Sequence, residues 1–453
     1  VTHVQLLPIY DFNSVTEAAP SFNWGYDPMN YNVPEGSYST QPANPTNRIT
    51  ELKQTVAYLH SRGLRVVMDV VYNHVFEATA HSFEKLVPGY YFRKNANGTF
   101  ANGTGVGNET ASERPMVRKF IVESVAYWAS EYKLDGFRFD LMGIHDVTTM
   151  QQVRAAVTAV DPTILVIGEG WNMGDQLSST EKAAQPNASK LAGIGMFNDT
   201  IRDGLKGSVF SRTDTGWASG KFSAKQQVQV GIVGSTIYSP SVSGSWGPIA
   251  PGQSVNYVEA HDNLTLYDKL KGSLSNGKPS AAELGRVFKL TSSVMILAQG
   301  MPFIHAGQEF MRSKNGNDNS YNASDAVNSL KWTTRATNAS TVNYFKGLIA
   351  IRKAHPAFRM SSAATIKARL KFLSGTDNII AYKLDGKSVG DSWKTIVVVH
   401  NAATVSKTVT LPAKGAWKIV VNGSTAGTKI LKKMAVTTTK VAVPAQTTMV
   451  LYL

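Results

Sequence analysis

Residues 135–143 read DGFRFDLMG. On a β-strand, residues two apart point to the same face. Arg138 and Asp140 therefore share one side of an element otherwise rich in Phe, Leu and Met. Charges are rarely buried without a partner, and a buried pair is weak evidence for stability. Taken alone, the segment fits a structural ion pair as well as a reactive one. The rest of the chain decides between them.

Apolar runs bounded by turn residues recur: THVQLLPI (2–9), LRVVMDVV (64–71), LDGFRFD (134–140) and TILVIGE (163–169). AGIGMFND (192–199), SVNYVEA (254–260) and MPFIHA (301–306) follow. Between them lie amphipathic helical stretches at 49–63, 117–132, 147–160 and 281–300. Strands apolar on both faces, alternating with helices, predict a parallel sheet covered by helices. Seven such strands in 453 residues favour an α/β fold, a (β/α)8 TIM barrel whose first strand and helix are expected upstream of Val1. From about residue 362 the pattern changes to short alternating runs such as TIVVVHN (395–401) and WKIVVNG (417–423), with no helical periodicity. This predicts a small antiparallel β-sandwich. The expected organisation is a barrel over 1–360, N-terminally incomplete, then a β-sandwich domain over 361–453, with a helix at 342–358 ending at the junction.

The chain carries no cysteine, which excludes disulfides, thiol catalysis and thiolate metal sites. No apolar run is long enough to span a bilayer, so no membrane partner is expected. The net charge of +14 is uneven: residues 361–453 hold 12 Lys and 1 Arg against 3 Asp and no Glu, a net +10. A solvated face explains such a balance, and so does contact with an anionic surface such as a cell wall. Sparse aromatics in that region argue against nucleic acid.

In a barrel, function gathers at the C-terminal ends of the strands. Here those ends carry Asp69, Tyr72, Asn73 and His74, then Arg138 and Asp140, then Glu169 and Trp171, then Glu259, His261, Asp262 and Asn263. A single carboxylate at such a position can cap the following helix, and a single His can be a satisfied core residue. Four strand ends of this kind together point to a reaction site. Carboxylates converging with Arg and His suit glycosidic hydrolysis. One must stay ionised as a nucleophile, which Arg138 would favour for Asp140. Another must hold a proton in a less polar setting, which Glu169 fits with Trp171 two residues on. Retention requires the two carboxyls to stand about 5–5.5 Å apart. Metal binding is the competing use of Asp69, His74, Asp140, Glu169, His261 and Asp262, but a guanidinium inside the cluster would repel a cation.

DVVYNH (69–74), GFRFDLMG (136–143), GEGW (168–171) and VEAHDN (258–263) resemble the four signature segments of the α-amylase superfamily of glycoside hydrolases, in the same order. FNWGYDPMNYNVPEGSYST (22–40) narrows this, because it resembles the motif of type I pullulanases, the starch-debranching enzymes, with Phe22 at a position usually Tyr. EAHDNLTLYDKL (259–270), with Tyr267 at a position usually Trp, and AQGMPFIHAGQEFMRSK (298–314) resemble the same group. The resemblance is close from residue 1 to about 360, and in the tail extends only to pattern.

The resemblance implies an α-glucan hydrolase that cleaves α-1,6 branch linkages in pullulan, limit dextrin, amylopectin or glycogen with retention of configuration. It implies Asp140 as nucleophile, Glu169 as general acid/base and Asp262 as transition-state stabiliser. His74, Arg138 and His261 would contact the sugar at the cleavage position, Tyr26 would stack beneath it, and Trp171 would flank the leaving-group side. Trp24 has a stronger claim to the core than Tyr26. Asn319, Tyr321 and Asp325 would line a distal subsite. The alternatives are an α-1,4-acting amylase or neopullulanase-like enzyme, a branching enzyme, and more distantly a non-catalytic carbohydrate-binding surface protein. No cofactor is required, no metal ligand is assigned, and calcium binding stays open: NGNDNS (315–320) lacks the closing Glu of an EF-hand loop. A secreted or cell-surface location is expected over a cytoplasmic one, with an anionic cell wall as a further partner through the basic tail.

Overall fold

The computed structural model describes residues 1–13 and 15–453. Two compact units are present, Val1–Phe197 with Ser245–Gly247 and Tyr321–Ser324, and Asn198–Gly244 with Pro248–Ser320 and Asp325–Leu453.

The first unit contains β1 (His3–Leu6), β2 (Tyr10–Phe12), β3 (Pro28–Pro34), β4 (Arg65–Val70), β5 (Gly136–Phe139), β6 (Leu165–Gly168) and β7 (Ile194–Asn198). β1, β4, β5, β6 and β7 pair in that order and all in parallel, as continuous apolar runs require. Every residue of β5 and β7 is buried. Helices Pro45–Ser61, Pro115–Glu131 and Val147–Val160 form the crossovers. The first two begin with Pro, whose missing N–H costs nothing at that position, and Asp146 caps the third by accepting from Thr149 N. β2 and β3 form a separate antiparallel ribbon.

In the second unit, β8 (Ser254–Asn256) pairs in parallel with β9 (Met301–Pro302), and helix Ala281–Leu297 connects them. The all-β part holds β10 (Leu370–Leu373), β11 (Ile379–Asp385), β12 (Thr395–Asn401), β13 (Lys407–Thr410), β14 (Lys418–Val421), β15 (Lys432–Lys433), β16 (Lys440–Val443) and β17 (Thr447–Tyr452). Six strands form one antiparallel sheet in the order β10-β11-β12-β17-β14-β15, and β13 pairs with β16 in a second. Strand alternation gives the large sheet two apolar faces. One face, with Val397, Val399 and Leu451, packs against Val409, Val441 and Val443 of the small sheet, which makes the sandwich. The other, with Tyr382, Val398 and Val450, joins the core of helices Ala281–Leu297 and Ala339–Ala354, where Phe345 and Ile351 are buried while Ile349, whose spacing predicts the same, stays half-buried.

One local expectation fails: residues 363–369 show no helical periodicity in sequence, yet they form a helix. Ser362 caps it by accepting from Thr365 N, and Ile366 is its only buried residue. With one apolar anchor in two turns, no period could show.

Candidate active site

β4, β5 and β6 run side by side with Asp69 opposite Arg138 and Phe139 opposite Gly168. The ladder continues one residue past β5 and β6: Asp140 N donates to Val70 O at 2.9 Å, and Glu169 N donates to Phe139 O at 3.0 Å. Backbone pairing thereby fixes where both carboxylates leave the sheet. Leu141 follows at φ 40, in the left-handed region, and its N–H donates to Glu169 Oε2 at 3.0 Å. A branched side chain in that region costs about 1 kcal/mol, and such strain is characteristic of functional turns. Gly143 N donates to Glu169 O at 3.0 Å, and a Cβ at Gly143 would lie 1.8 Å from Trp171 O, so only glycine lets these two loops meet.

Arg138 is the centre of the cluster. Its Nη1 lies 2.9 Å from Asp69 Oδ1 and 2.9 Å from Asp140 Oδ1, and its Nη2 lies 2.8 Å from Glu169 Oε1. The guanidinium lies over the rings of Tyr26 and Phe197, each centroid 5.7 Å away. Tyr26 OH donates to Asp69 Oδ2 at 2.8 Å, which fixes the ring beside Arg138. Asn73 Nδ2 donates to Asp140 Oδ2 at 2.9 Å and to Asp140 O at 2.9 Å. Asn73 Oδ1 in turn faces His74 Nδ1 at 2.6 Å, while His74 Nε2 donates to Tyr26 O at 2.9 Å. Trp24 is core, 5% exposed, its backbone N–H donating to Tyr321 O at 2.9 Å.

Burial raises the Asp69 carboxyl to about 7, with Arg138 opposing and the Asp140 charge adding. Burial also lowers His74 below its ordinary value, although the Asp140 charge works the other way. Asp69 is fully buried and faces no open solvent. Arg138 occupies the place among Asp69, Asp140 and Glu169 that a divalent ion would need. Among the described residues no group of His, Asp and Glu is arranged to hold a metal, and no helix is long and apolar enough to cross a membrane.

The second unit holds His261, Asp262 and Asp325. His261 Nε2 lies 3.3 Å from Asp262 Oδ2, and the Asp262 side chain is 45% exposed. Asn263 follows at φ 61, repeating the left-handed turn seen after Asp140. Lys314 Nζ donates to His261 O at 2.7 Å, and burial lowers that lysine to about 8. Asp325 is exposed at the start of a short helix, Asp325–Asn328. Glu259 is structural: fully buried, it accepts from Leu266 N at 2.7 Å at the start of a helix and pairs with His305 Nδ1 at 2.9 Å. Helix anchoring, the plain explanation for a carboxylate at a strand end, is correct there. Sequence reasoning assigned no role to Asn73, Gly143, His305 or Lys314. Asn73 could have been found from its place inside YNH, whereas the contacts of His305 and Lys314 join residues 46 and 53 positions apart.

A clamp of carboxylates on one arginine at the ends of parallel strands, beside aromatic rings, is a barrel glycosidase arrangement, and comparison with known proteins specifies it. The chain is 47% identical over 416 residues to the pullulanase of Bacillus subtilis strain 168, covering 91% of this chain and 57% of that protein. The crystal structure of the Paenibacillus barengoltzii pullulanase, in complex with maltohexaose and α-cyclodextrin, matches with a TM-score of 0.94 at 46% identity, over 100% of this chain and 69% of that one. The type I pullulanase of Bacillus subtilis strain 168, solved with maltose, matches with a TM-score of 0.95 at 44% identity, over 100% of this chain and 63% of that one. Residues 366–425 match the family model described as the pullulanase all-beta domain. The chain belongs to the pullulanase family and is of the type I kind, with its α/β barrel fold followed by an all-β domain. It spans a little over half, 57%, of the length of the curated Bacillus subtilis relative.

Proposed function

We propose that this chain hydrolyses α-1,6-glucosidic branch linkages in α-glucans such as pullulan, limit dextrin, amylopectin or glycogen, with retention of configuration. The observation that carries the reading is the shared guanidinium: Arg138 binds Asp140 and Glu169 through different nitrogens. Asp140, tied to Arg138 and Asn73, is the nucleophile that forms a glycosyl ester at the anomeric carbon. Glu169 gives its proton to the departing glycosidic oxygen. It then takes a proton from the water that cleaves the ester, which restores both groups. Asp262 stabilises the oxocarbenium-like transition state, and His74, Arg138 and His261 contact the sugar in the cleavage subsite. Tyr26, held by its bond to Asp69, stacks on that sugar, Trp171 flanks the leaving group, and Asp325 belongs to a distal subsite. The chemistry takes its nucleophile and its proton from carboxyls, so it needs no cofactor.

The division of labour follows the sequence: residues 1–360 catalyse, and residues 361–453 form the β-domain. A secreted or cell-surface location, with the basic tail held by an anionic wall, belongs to the same reading and rests on charge alone.

Asp140→Asn tests the roles. Turnover of pullulan falls by several orders of magnitude while maltotetraose binding, measured by calorimetry, persists, because the aromatic and His contacts remain. Full activity in that variant would end the assignment.

A further inference from the structure

A concavity of about 820 Å³ lies in the second unit. Six cationic side chains line it: Lys271, Lys278, Arg286, Lys289, Arg312 and Lys331. No Asp or Glu is among the described residues of its wall. Glu283, on a helix that contributes to the wall, accepts instead from Ser275 Oγ at 2.8 Å. None of the six cations forms an ion pair among the described residues.

An ordinary solvated lysine face is convex and mixes both signs of charge. This surface is concave and of one sign. Burial lowers Lys289 and Arg312 from their ordinary values, so the arrangement carries a desolvation cost that a bound anion would offset. The buried Nε of Arg312 has no hydrogen-bond partner. Cations in a low-dielectric cleft focus field and concentrate anions.

The rest of the wall decides the kind of anion. Hydroxyls and amides stand beside the cations, among them Ser313, Asn338, Thr341, Asn422, Ser424 and Thr447. Such groups donate to and accept from sugar hydroxyls, and Tyr267 adds an aromatic face. We propose that this cavity binds a phosphate monoester of a glucose unit, carried either on an α-glucan chain or on a free sugar phosphate. None of the residues that line it is assigned a catalytic or subsite role above.

Calorimetry at low salt with the whole chain tests it. The probes are glucose 6-phosphate, a maltotriose bearing a phosphate monoester, neutral maltotriose and inorganic phosphate. The variant is Lys271→Ala, Lys278→Ala and Lys331→Ala combined, all three exposed, with Arg286→Gln as a second in case the first folds poorly. Both esters are expected to bind more tightly than inorganic phosphate, and the triple variant to weaken them by about tenfold or more without changing neutral maltotriose. Tighter binding of the phosphorylated maltotriose than of glucose 6-phosphate identifies a glucan-borne group, and equal binding a free sugar phosphate. Absence of ester binding, binding untouched in both variants, or inorganic phosphate binding as tightly as the esters overturns the proposal.

Discussion

Nη2 of Arg138 lies 2.8 Å from Oε1 of Glu169, although the two residues sit on neighbouring strands 31 positions apart in sequence. The same guanidinium holds Asp140 through Nη1. Arg138 therefore ties the two carboxyls to one guanidinium. A planar fork can do this, and a point charge cannot.

Arg138→Lys should accordingly fold but lose on the order of 10²–10³-fold in kcat on pullulan, because one ammonium cannot span both carboxylates. Steady-state kinetics with a thermal melt separates this from unfolding. Near-normal kcat in a folded Lys variant would show that the bridging geometry is dispensable.

The β-domain carries a pH sensor of stability. His400 on β12 is fully buried, its Nδ1 2.8 Å from Thr448 Oγ1, and burial lowers its pKa from 6.5 to about 3. Its folded value lies below its unfolded one, so its contribution is complete above the unfolded value and is lost as pH falls toward the folded value. Between about pH 6.5 and pH 5 the loss amounts to about 2 kcal/mol. Calorimetric melts should show His400→Gln losing less stability over that interval than the unaltered protein. Identical slopes would mean that His400 already titrates normally when folded.

Lys429, Lys432 and Lys433 are exposed, the last two on the edge strand β15. Changed together to Glu, they should abolish sedimentation with isolated anionic cell walls while pullulan hydrolysis stays intact. Wall binding by the unaltered chain should fade as salt rises, since screening acts within about 10 Å at 0.1 M. Wall binding that survives the reversal, or that is missing at low salt, leaves these lysines as a solvated face.

The seven parallel strands were legible because a strand buried on both faces writes itself as a continuous apolar run, and each run produced its strand. Arg138 beside Asp140 was legible for a similar local reason, the two-residue period of a strand. The tie from Arg138 to Glu169 was not, since it depends on register between neighbours: Arg138 stands opposite Ile167, which puts Glu169 just past it. Strand β15, two lysines long, has no pattern that sequence could show. The cationic cavity draws on residues from Tyr267 to Thr447, far apart in sequence and brought together only by the fold.

The most direct test of debranching by a retaining pair is proton NMR of pullulan as this chain digests it. The account predicts maltotriose as the limit product, with the α-anomer of the new reducing end appearing first and mutarotating afterwards. Panose as the sole product would show α-1,4 cleavage, and first appearance of the β-anomer would show inversion; either contradicts the account.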